Sequence, residues 1–242
     1  MRVAVISDIH SNLHALEAVL AAIDTEAPDE LWCLGDLVGY GPRPNECCAA
    51  IAERADVCLA GNHDLVVVGG LDMADFAGEA ATAAQWTRGV LDDDARTLLA
   101  SLEPEAKRND VALYHGSARD PTWEYVLSDE AAWRTFRATT EPLVLVGHSH
   151  VPLAISFDGK GLDGGLAEDG TEIETSAERW LLNPGSVGQP RAGDPRAAYL
   201  LLDLDGRRAS FRRVVYDIER TQREMREAGL PEMLAARLAL GQ

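Results

Sequence analysis

The sequence predicts an α/β fold in which two β-sheets pack face to face and helices cover the outer faces. The first half alternates short apolar runs with segments of helical period, which is the pattern of βα units. The second half consists of short strands separated by Gly, Asp and Pro, which is typical of antiparallel hairpins. A chain of 242 residues suits one large domain, and we expect residues 1–242 to form it.

The elements of the first half follow from apolar runs that each end at a turn signal. The predicted strands cover residues 3–7, 31–34, 57–60, 111–114 and 143–146. Ser11 or Asn12 provides the N-cap of a first helix that Pro28 closes, and residues 45–55 form a second helix. We expect residues 72–102 to be mostly helical and to form a wall or cap over a site.

Two interruptions are expected in that helical stretch, one near Gly89 and one at the acidic run 92–94. The second-half strands are predicted over residues 153–157, 180–182, 198–204 and 209–215. Asp205-Gly206 is a strong turn signal for a hairpin between the last two.

The Gly-rich, acidic piece 158–175 is predicted to be a mobile loop, with an inert hairpin tip as the alternative to a lid. Two last helices are predicted over residues 218–228 and 231–240.

Charge and cysteine content narrow the class of protein. The chain has 40 acidic and 22 basic residues and a net charge of −18, which argues against an extended nucleic acid or an anionic membrane as partner. A small phosphorylated substrate remains compatible, because bound divalent cations reverse the local field. The four cysteines form no C-x-x-C pair, and no apolar run reaches the length of a membrane span. We therefore expect a cytoplasmic protein with reduced thiols; its oligomeric state is open.

Histidines and carboxylates follow the five first-half strands at their C-terminal ends. In an open α/β sheet, ligands bind outside these ends of the strands. The donors expected at this edge suit a two-metal centre and exceed what one ion can use. The candidate ligands are Asp8, His10, Asp36, Asn62, His115, His148 and His150.

The spacing of these donors predicts how they share the ions. Residues i and i+2 of an extended strand face the same side, so Asp8 and His10 should point into one crevice. His148 and His150 should do the same. Asp36 is the candidate bridge between two cations, which would hold a water or hydroxide between them. Oxygen and nitrogen donors without a thiolate favour Mn, with Fe, Zn or Ni as alternatives.

Two further residues follow the third strand and suit acid catalysis. His63, with Asp64 beside it, could be held protonated and give its proton to a leaving oxygen, which typically contributes about 10²–10⁴ in rate. One such cluster is weak support, but five in this order predict a hydrolase active site. His14 falls on the first helix, where we expect a capping or supporting role.

The motifs D-x-H, G-D, G-N-H-D, H and G-H-S-H resemble those of the calcineurin-like metallophosphoesterase superfamily. The resemblance covers nearly the whole chain, and segments 35–42 and 183–191 resemble its small prokaryotic phosphodiesterase branch. It implies a four-layer α/β/β/α sandwich of two mixed β-sheets flanked by helices, with His63 as the acid. It also implies one metal on Asp8, His10, Asp36 and His150, and a second on Asp36, Asn62, His115 and His148.

The chain departs from related protein phosphatases before G-N-H, where Ala60 replaces an arginine that grips phosphate. A minor departure is Ser149 in place of the usual threonine. A phosphate-gripping arginine must then come from a loop, and the aromatic residues of the loops could stack on a base or aryl group. The candidate substrate-binding residues are Arg191, Arg119, Arg43 and Tyr40, with Trp123 and Tyr125 as further aromatic candidates.

The leading hypothesis is a dimetal phosphohydrolase that cleaves small phosphodiesters or nucleotides. A phosphomonoesterase or a dinucleoside polyphosphate hydrolase of the same fold is the alternative. A non-catalytic metal-binding scaffold is opposed by the presence of His63 and of every candidate ligand. A nuclease would need a basic groove, which the net charge of −18 opposes.

Overall fold

The computed structural model describes residues 1–176 and 178–242, and it contains two six-stranded sheets with helices on both outer faces. The four-layer prediction is confirmed. The strands are β1 (Arg2–Ile6), β2 (Glu30–Cys33), β3 (Val57–Cys58), β4 (Glu105–Arg108), β5 (Val111–Tyr114), β6 (Leu143–Val146), β7 (Leu153–Phe157), β8 (Leu162–Leu166), β9 (Glu172–Glu174), β10 (Arg179–Asn183), β11 (Ala197–Asp203) and β12 (Arg208–Val214). The helices are α1 (Leu13–Glu26), α2 (Pro44–Arg54), α3 (Asn62–Val68), α4 (Gly78–Val90), α5 (Asp93–Ala100), α6 (Asp129–Ala138), α7 (Ile218–Glu227) and α8 (Glu232–Leu238).

Both sheets are mixed. The first has the strand order β3-β2-β1-β11-β12-β9, and the second has the order β4-β5-β6-β10-β7-β8. Strands β1, β2 and β3 are parallel, as are β5, β6 and β10 in the second sheet. The carboxyl ends within each parallel group therefore lie at one edge of their sheet, where ligand-binding loops are expected.

Strand β1 shows why the first apolar run is continuous. Val3 and Val5 pack between the two sheets, whereas Ala4 and Ile6 pack against the outer helices. Side chains alternate along a strand, so a strand covered on both faces needs apolar residues at every position. Trp32 is a fully buried member of the core between the sheets.

The predicted helices begin and end close to their expected bounds, but α3 and α6 were not predicted. Asn12 caps α1 by accepting from the Ala15 N–H at 3.2 Å, as one of the two expected N-cap residues. In the 72–102 stretch the break falls at Leu91 and Asp92, and Gly89 stays inside α4. A short 3-10 helix, Met73–Asp75, precedes α4.

The prediction of a loop over residues 158–175 is wrong. This piece contains β8, which pairs antiparallel with β7, and β9, which pairs with β12. Gly164 and Gly165 lie within β8, and their missing side chains hide the period-2 pattern of a strand. Because β8 is an edge strand, it tolerates them. No helix in the described residues is both long and apolar enough to cross a membrane.

Candidate metal centre

The seven predicted donors lie together at the carboxyl ends of β1, β2, β5 and β6 and at the start of α3, and all are buried. One cluster, within 4.8 Å between donor atoms, consists of Asp8, His10, Asp36 and His150. The second consists of Asp36, His115 and His148. The Asn62 side-chain oxygen lies 3.2 Å from His115 Nε2, beside the second cluster. Asp36 belongs to both clusters, so it lies between the two positions that could hold cations.

The backbone is left-handed at five of the seven donors. Asp8, His10 and Asp36 have φ of 56°, 48° and 55°, and His148 and His150 have φ of 61° and 60°. The expectation that an extended strand aims the i and i+2 pairs is therefore wrong: β1 and β6 end before the donors, and tight turns aim them instead. Such conformations cost about 1–3 kcal/mol each in a residue other than glycine and concentrate at functional sites.

Main-chain hydrogen bonds fix the donor nitrogen of three histidines. Nδ1 of His10, His115 and His150 lies 3.1, 2.8 and 2.6 Å from a main-chain carbonyl oxygen. A carbonyl only accepts, so Nδ1 carries a proton in each ring and Nε2 faces the cluster, where the neutral imidazole offers its lone pair. The Nε2 atoms of His10 and His150 are only 3.0 Å apart. Two facing lone pairs repel, and a cation near both removes the repulsion.

The carboxylates of Asp8 and Asp36 also indicate a cation site. Asp8 Oδ1 and Asp36 Oδ2 are buried and have no hydrogen-bond partner in the part of the chain that the structure describes. Buried carboxylate oxygens without partners are costly unless they pair with charge or coordinate a metal. The oxygen and nitrogen donors present therefore fit divalent cations in both clusters.

The site is electrostatically strained in the absence of cations. Burial raises the pKa of Asp8 to about 7, and the nearby Asp36 charge adds to this effect. Burial opposes ionisation of Asp36 too, but His115 and His63 outweigh it and hold the pKa of Asp36 well below its usual value. For His115, burial lowers the pKa, but Asp36 and Asp8 outweigh it and raise the pKa to about 9. The two buried carboxylates therefore favour positive charge between them, which a proton or a cation can supply.

The segment 183–191 surrounds the donors and holds their turns. The Asn183 amide donates to the Gly147 carbonyl at 2.7 Å and to Ser149 Oγ at 3.0 Å. The Ser186 hydroxyl and the Gly188 N–H both donate to the Asp8 carbonyl, at 2.8 and 2.9 Å. This segment therefore fixes two of the strained turns at once.

His63 lies in the first turn of α3, where its N–H donates to Asp36 Oδ1 at 2.9 Å. Its ring centroid is 4.8 Å from that of His10 and 4.4 Å from that of Tyr40. Burial lowers the pKa of His63 to about 4. Its Nδ1 has no hydrogen-bond partner in the described chain.

Asp64 does not pair with the His63 ring, contrary to expectation. Its carboxylate accepts from the N–H groups of Leu37, Val38 and Gly61, at 3.2, 3.1 and 2.9 Å. Asp64 occupies the third position of a helix, from which an acidic side chain turns back to the N-terminal amides. Asp64 thus holds the Asp36 turn against the start of α3.

Two predicted substrate-binding residues lie at the site. The Arg191 N–H donates to the His150 carbonyl at 3.3 Å, and its guanidinium carbon is 6.0 Å from the Tyr40 ring centroid. The Tyr40 ring is in turn 4.5 Å from the His10 ring. Both residues therefore border the cluster that contains His10 and His150.

The other two arginines are held elsewhere. Arg43 and His14 both contact Glu224 of α7, at 3.3 and 2.9 Å, so these residues connect helices. Arg119 forms an ion pair with Glu124. Their nearness in sequence to the motifs did not predict contact with the donors, because ion pairs with glutamates hold both guanidiniums.

Aromatic rings line the rim, and one of them was missed. Tyr125 stacks on His148 with a centroid distance of 3.9 Å and an interplanar angle of 11°. Phe76 lies 4.5 Å from the His63 ring and 5.9 Å from Trp123. The sequence gives no signal for Phe76, because it lies in an irregular piece between two helices and reaches the site only through tertiary packing.

Comparison with known proteins gives the family. Residues 1–207 match the model of the calcineurin-like phosphoesterase superfamily domain. A metallophosphoesterase from Sphaerobacter thermophilus has a crystal structure similar over 100% of this chain and 99% of its own, with a TM-score of 0.91 and 43% identity. An uncharacterised protein from Methanocaldococcus jannaschii is 37% identical over 99% of this chain and 98% of its own. Phosphodiesterase YfcE from Escherichia coli is 26% identical over 85% of this chain and 89% of its own. The chain belongs to the calcineurin-like phosphoesterase superfamily and is a hydrolase of phosphate esters.

Proposed function

We propose that this protein is a dimetal phosphohydrolase that cleaves small phosphodiesters or nucleotides. The observation that carries the proposal is the pair of buried donor clusters that share Asp36, with the His63 ring packed beside them. The similarity to the phosphodiesterase of Escherichia coli supports the diester class.

The proposed roles follow from the two clusters. One cation is held by Asp8, His10, Asp36 and His150, and the other by Asp36, Asn62, His115 and His148. When bound, the two cations supply a water of lowered pKa and neutralise the phosphoryl oxygens. Mn is the first choice for the metal, with Fe, Zn or Ni as alternatives, because all donors are oxygen or nitrogen.

His63 is the proposed proton donor to the leaving oxygen. Burial lowers its pKa to about 4, so the ring is neutral in the free protein near pH 7. An anionic substrate beside the ring favours the protonated form, which couples proton uptake to substrate binding. The His63 main-chain N–H donates to Asp36 Oδ1, which fixes the backbone of His63 beside the donors.

Preference for diesters over monoesters rests on the supply of positive charge. Ala60 is fully buried and its N–H donates to the Glu103 carbonyl, so no cationic side chain projects from this turn. Arg191 is then the main protein cation beside the donors. A singly charged diester needs less positive charge than a dianionic monoester, whose hydrolysis is the alternative, together with that of dinucleoside polyphosphates.

The test is an activity screen after chelation and reconstitution with Mn²⁺. Matched aryl phosphodiesters and monoesters, dinucleoside polyphosphates and phosphoproteins would be compared by kcat/KM. We expect the highest value on a small diester and none without metal. A monoester preference with the same aryl leaving group would overturn the diesterase assignment, and full turnover in chelated protein would overturn the dimetal proposal.

A small phosphorylated substrate is the proposed partner, and the cytoplasm is the proposed location. All four cysteines are free, and Cys33, Cys47 and Cys48 are buried, which fits a reducing compartment.

A further inference from the structure

Strand β8 is an edge strand of the second sheet, and β7 is its one neighbouring strand in the described residues. Just beyond β8, the Ala167 N–H donates to the Pro152 carbonyl at 3.0 Å. Main-chain groups alternate in direction along an antiparallel strand, so those of Leu162, Gly164 and Leu166 face away from β7. An outward row of main-chain groups at a sheet edge is a template for pairing with another strand.

An apolar groove of about 350 Å³ lies along this edge and includes all of β8. Two of its leucines are unusually accessible, since Leu166 is 70% exposed and Leu127 is 57% exposed. The apolar lining is formed by Val126, Leu127, Leu153, Ile155, Leu162 and Leu166. Exposed apolar side chains grouped beside an open sheet edge are typical of an interaction surface.

The sequence around β8 is complementary to itself in the antiparallel direction. Leu162 and Leu166 lie two residues on either side of Gly164, and a lysine and a glutamate, Lys160 and Glu168, lie four residues on either side. In two β8 strands related by a two-fold axis at Gly164, leucine therefore faces leucine and lysine faces glutamate. Lys160 and Glu168 are both exposed, and neither side chain forms an ion pair within the part of the chain that the structure describes.

The remaining positions of this pairing oppose no like charges. Asp163 would face Gly165, so the one carboxylate of β8 would meet no second carboxylate. Asp163 accepts from the Gly164 N–H at 2.9 Å, a bond between neighbours that strand pairing would replace. Opposed like charges are a common means by which edge strands resist self-pairing. This edge lacks that protection, although the chain has a net charge of −18.

We propose that two copies of this chain pair through β8, antiparallel about Gly164, and form a two-fold symmetric dimer. The second sheets of the two copies then join into one continuous sheet. Leu166 of each copy lies against Leu162 of the partner subunit, at the border of its groove. Lys160 and Glu168 form ion pairs at both ends of the paired strands. A second copy fits this edge because the segment matches its own sequence, apolar with apolar and positive with negative.

The first test is sedimentation velocity over about 1–100 µM protein, because a small interface of this kind has a Kd in the micromolar range. We expect the mass of one chain at the lowest concentration and nearly twice that mass at the highest. Leu166→Lys should raise Kd by about tenfold or more, because it sets a charge against an apolar side chain. Leu240→Lys is the matched control, since Leu240 is 56% exposed and lies outside the groove.

Charge reversal tests the register of the pairing. Lys160→Glu alone, or Glu168→Lys alone, opposes like charges at both ends of the paired strands and should raise Kd by about tenfold. The double variant restores opposite charges and should return Kd close to the wild-type value. Thermal unfolding of each variant would show that the chain stays folded.

A wild-type protein that is monomeric at every concentration would overturn the proposal. A dimer whose Kd is unchanged by the three single substitutions would also overturn it, since that dimer would use another surface. A double variant that associates no more tightly than the single charge reversals would overturn the antiparallel register about Gly164.

Discussion

The candidate site has a floor, formed by the seven donor residues, and a rim, formed by the side chains around them. The floor and the rim are built in different ways. Each floor donor, such as Asp8 or His148, follows a strand within a few residues, is almost fully buried and is held by main-chain hydrogen bonds. The rim residues Arg191, Tyr40 and Phe76 come from segments far apart in sequence and reach the site through side-chain packing. The comparison teaches that local geometry determines which chemistry the site performs, whereas tertiary packing determines what it accepts.

The largest expected effect follows from changing the floor at its shared donor. Asp36→Asn should lose most bound metal and lower kcat/KM by well over about 100-fold, more than outer contacts of a metal site provide, because both clusters include this carboxylate. Elemental analysis and kinetics would measure both effects. Asp110→Asn is the control, since Asp110 is exposed. Unchanged metal content in the Asp36 variant would show that the floor is not organised around this residue.

A second change separates chemistry from metal binding within the floor. His63→Ala should keep its metal and lower kcat by about 10²–10⁴ for poor leaving groups, because it removes the proposed proton donor and no donor of either cluster. An activated leaving group such as nitrophenolate needs no proton, so its hydrolysis should suffer less. Metal depletion in this variant would contradict the role of His63 as acid.

A change in segment 183–191, which surrounds the floor, should have an intermediate effect on metal affinity. Asn183→Ala removes hydrogen bonds of 2.7 and 3.0 Å to the turn that carries His148 and His150. We expect a loss of about 10–100-fold in metal affinity, the usual range for groups that orient metal ligands. Metal titration followed by calorimetry would measure it. An unchanged metal affinity would show that the left-handed turn keeps its conformation without the Asn183 amide.

Substitutions at the rim should have the smallest effect on activity. Arg191→Ala should raise KM by about tenfold and change kcat less, because the charge binds ground state and transition state alike. Arg119→Ala is the matched control, since Arg119 pairs with Glu124 and has no described contact with the donors. Steady-state kinetics on one diester would compare them. Equal effects of the two variants would remove the distinction between an arginine at the site and one held elsewhere.

The same division explains what could be predicted from the sequence. Donors that follow apolar strands leave a local signal, so Asp8, His10 and Asp36 were identified with their neighbours. The left-handed turns were not predicted, because a sequence does not report φ. The role of Asp64 was not predicted either, because it depends on three main-chain amides that the fold brings near its carboxylate.

Some secondary structure was missed for related reasons. Strand β4 is a charged edge strand with no apolar run, and the glycines of β8 leave no alternation to detect. Helix α6 did carry a signal, because Ser128 is a good N-cap and accepts from the Ala131 N–H at 3.2 Å.

The central claim is that this floor holds two cations that replace a proton. The most direct measurement is a calorimetric titration of Mn²⁺ into chelated protein in buffers of different ionisation enthalpy. Near pH 7, His115 is protonated without metal because its pKa is raised to about 9, and it must lose that proton to bind a cation. We predict about two ions per chain and release of at least about one proton near pH 7, with release disappearing above the pKa of His115. Binding of a single ion, or binding without proton release near pH 7, would contradict the account.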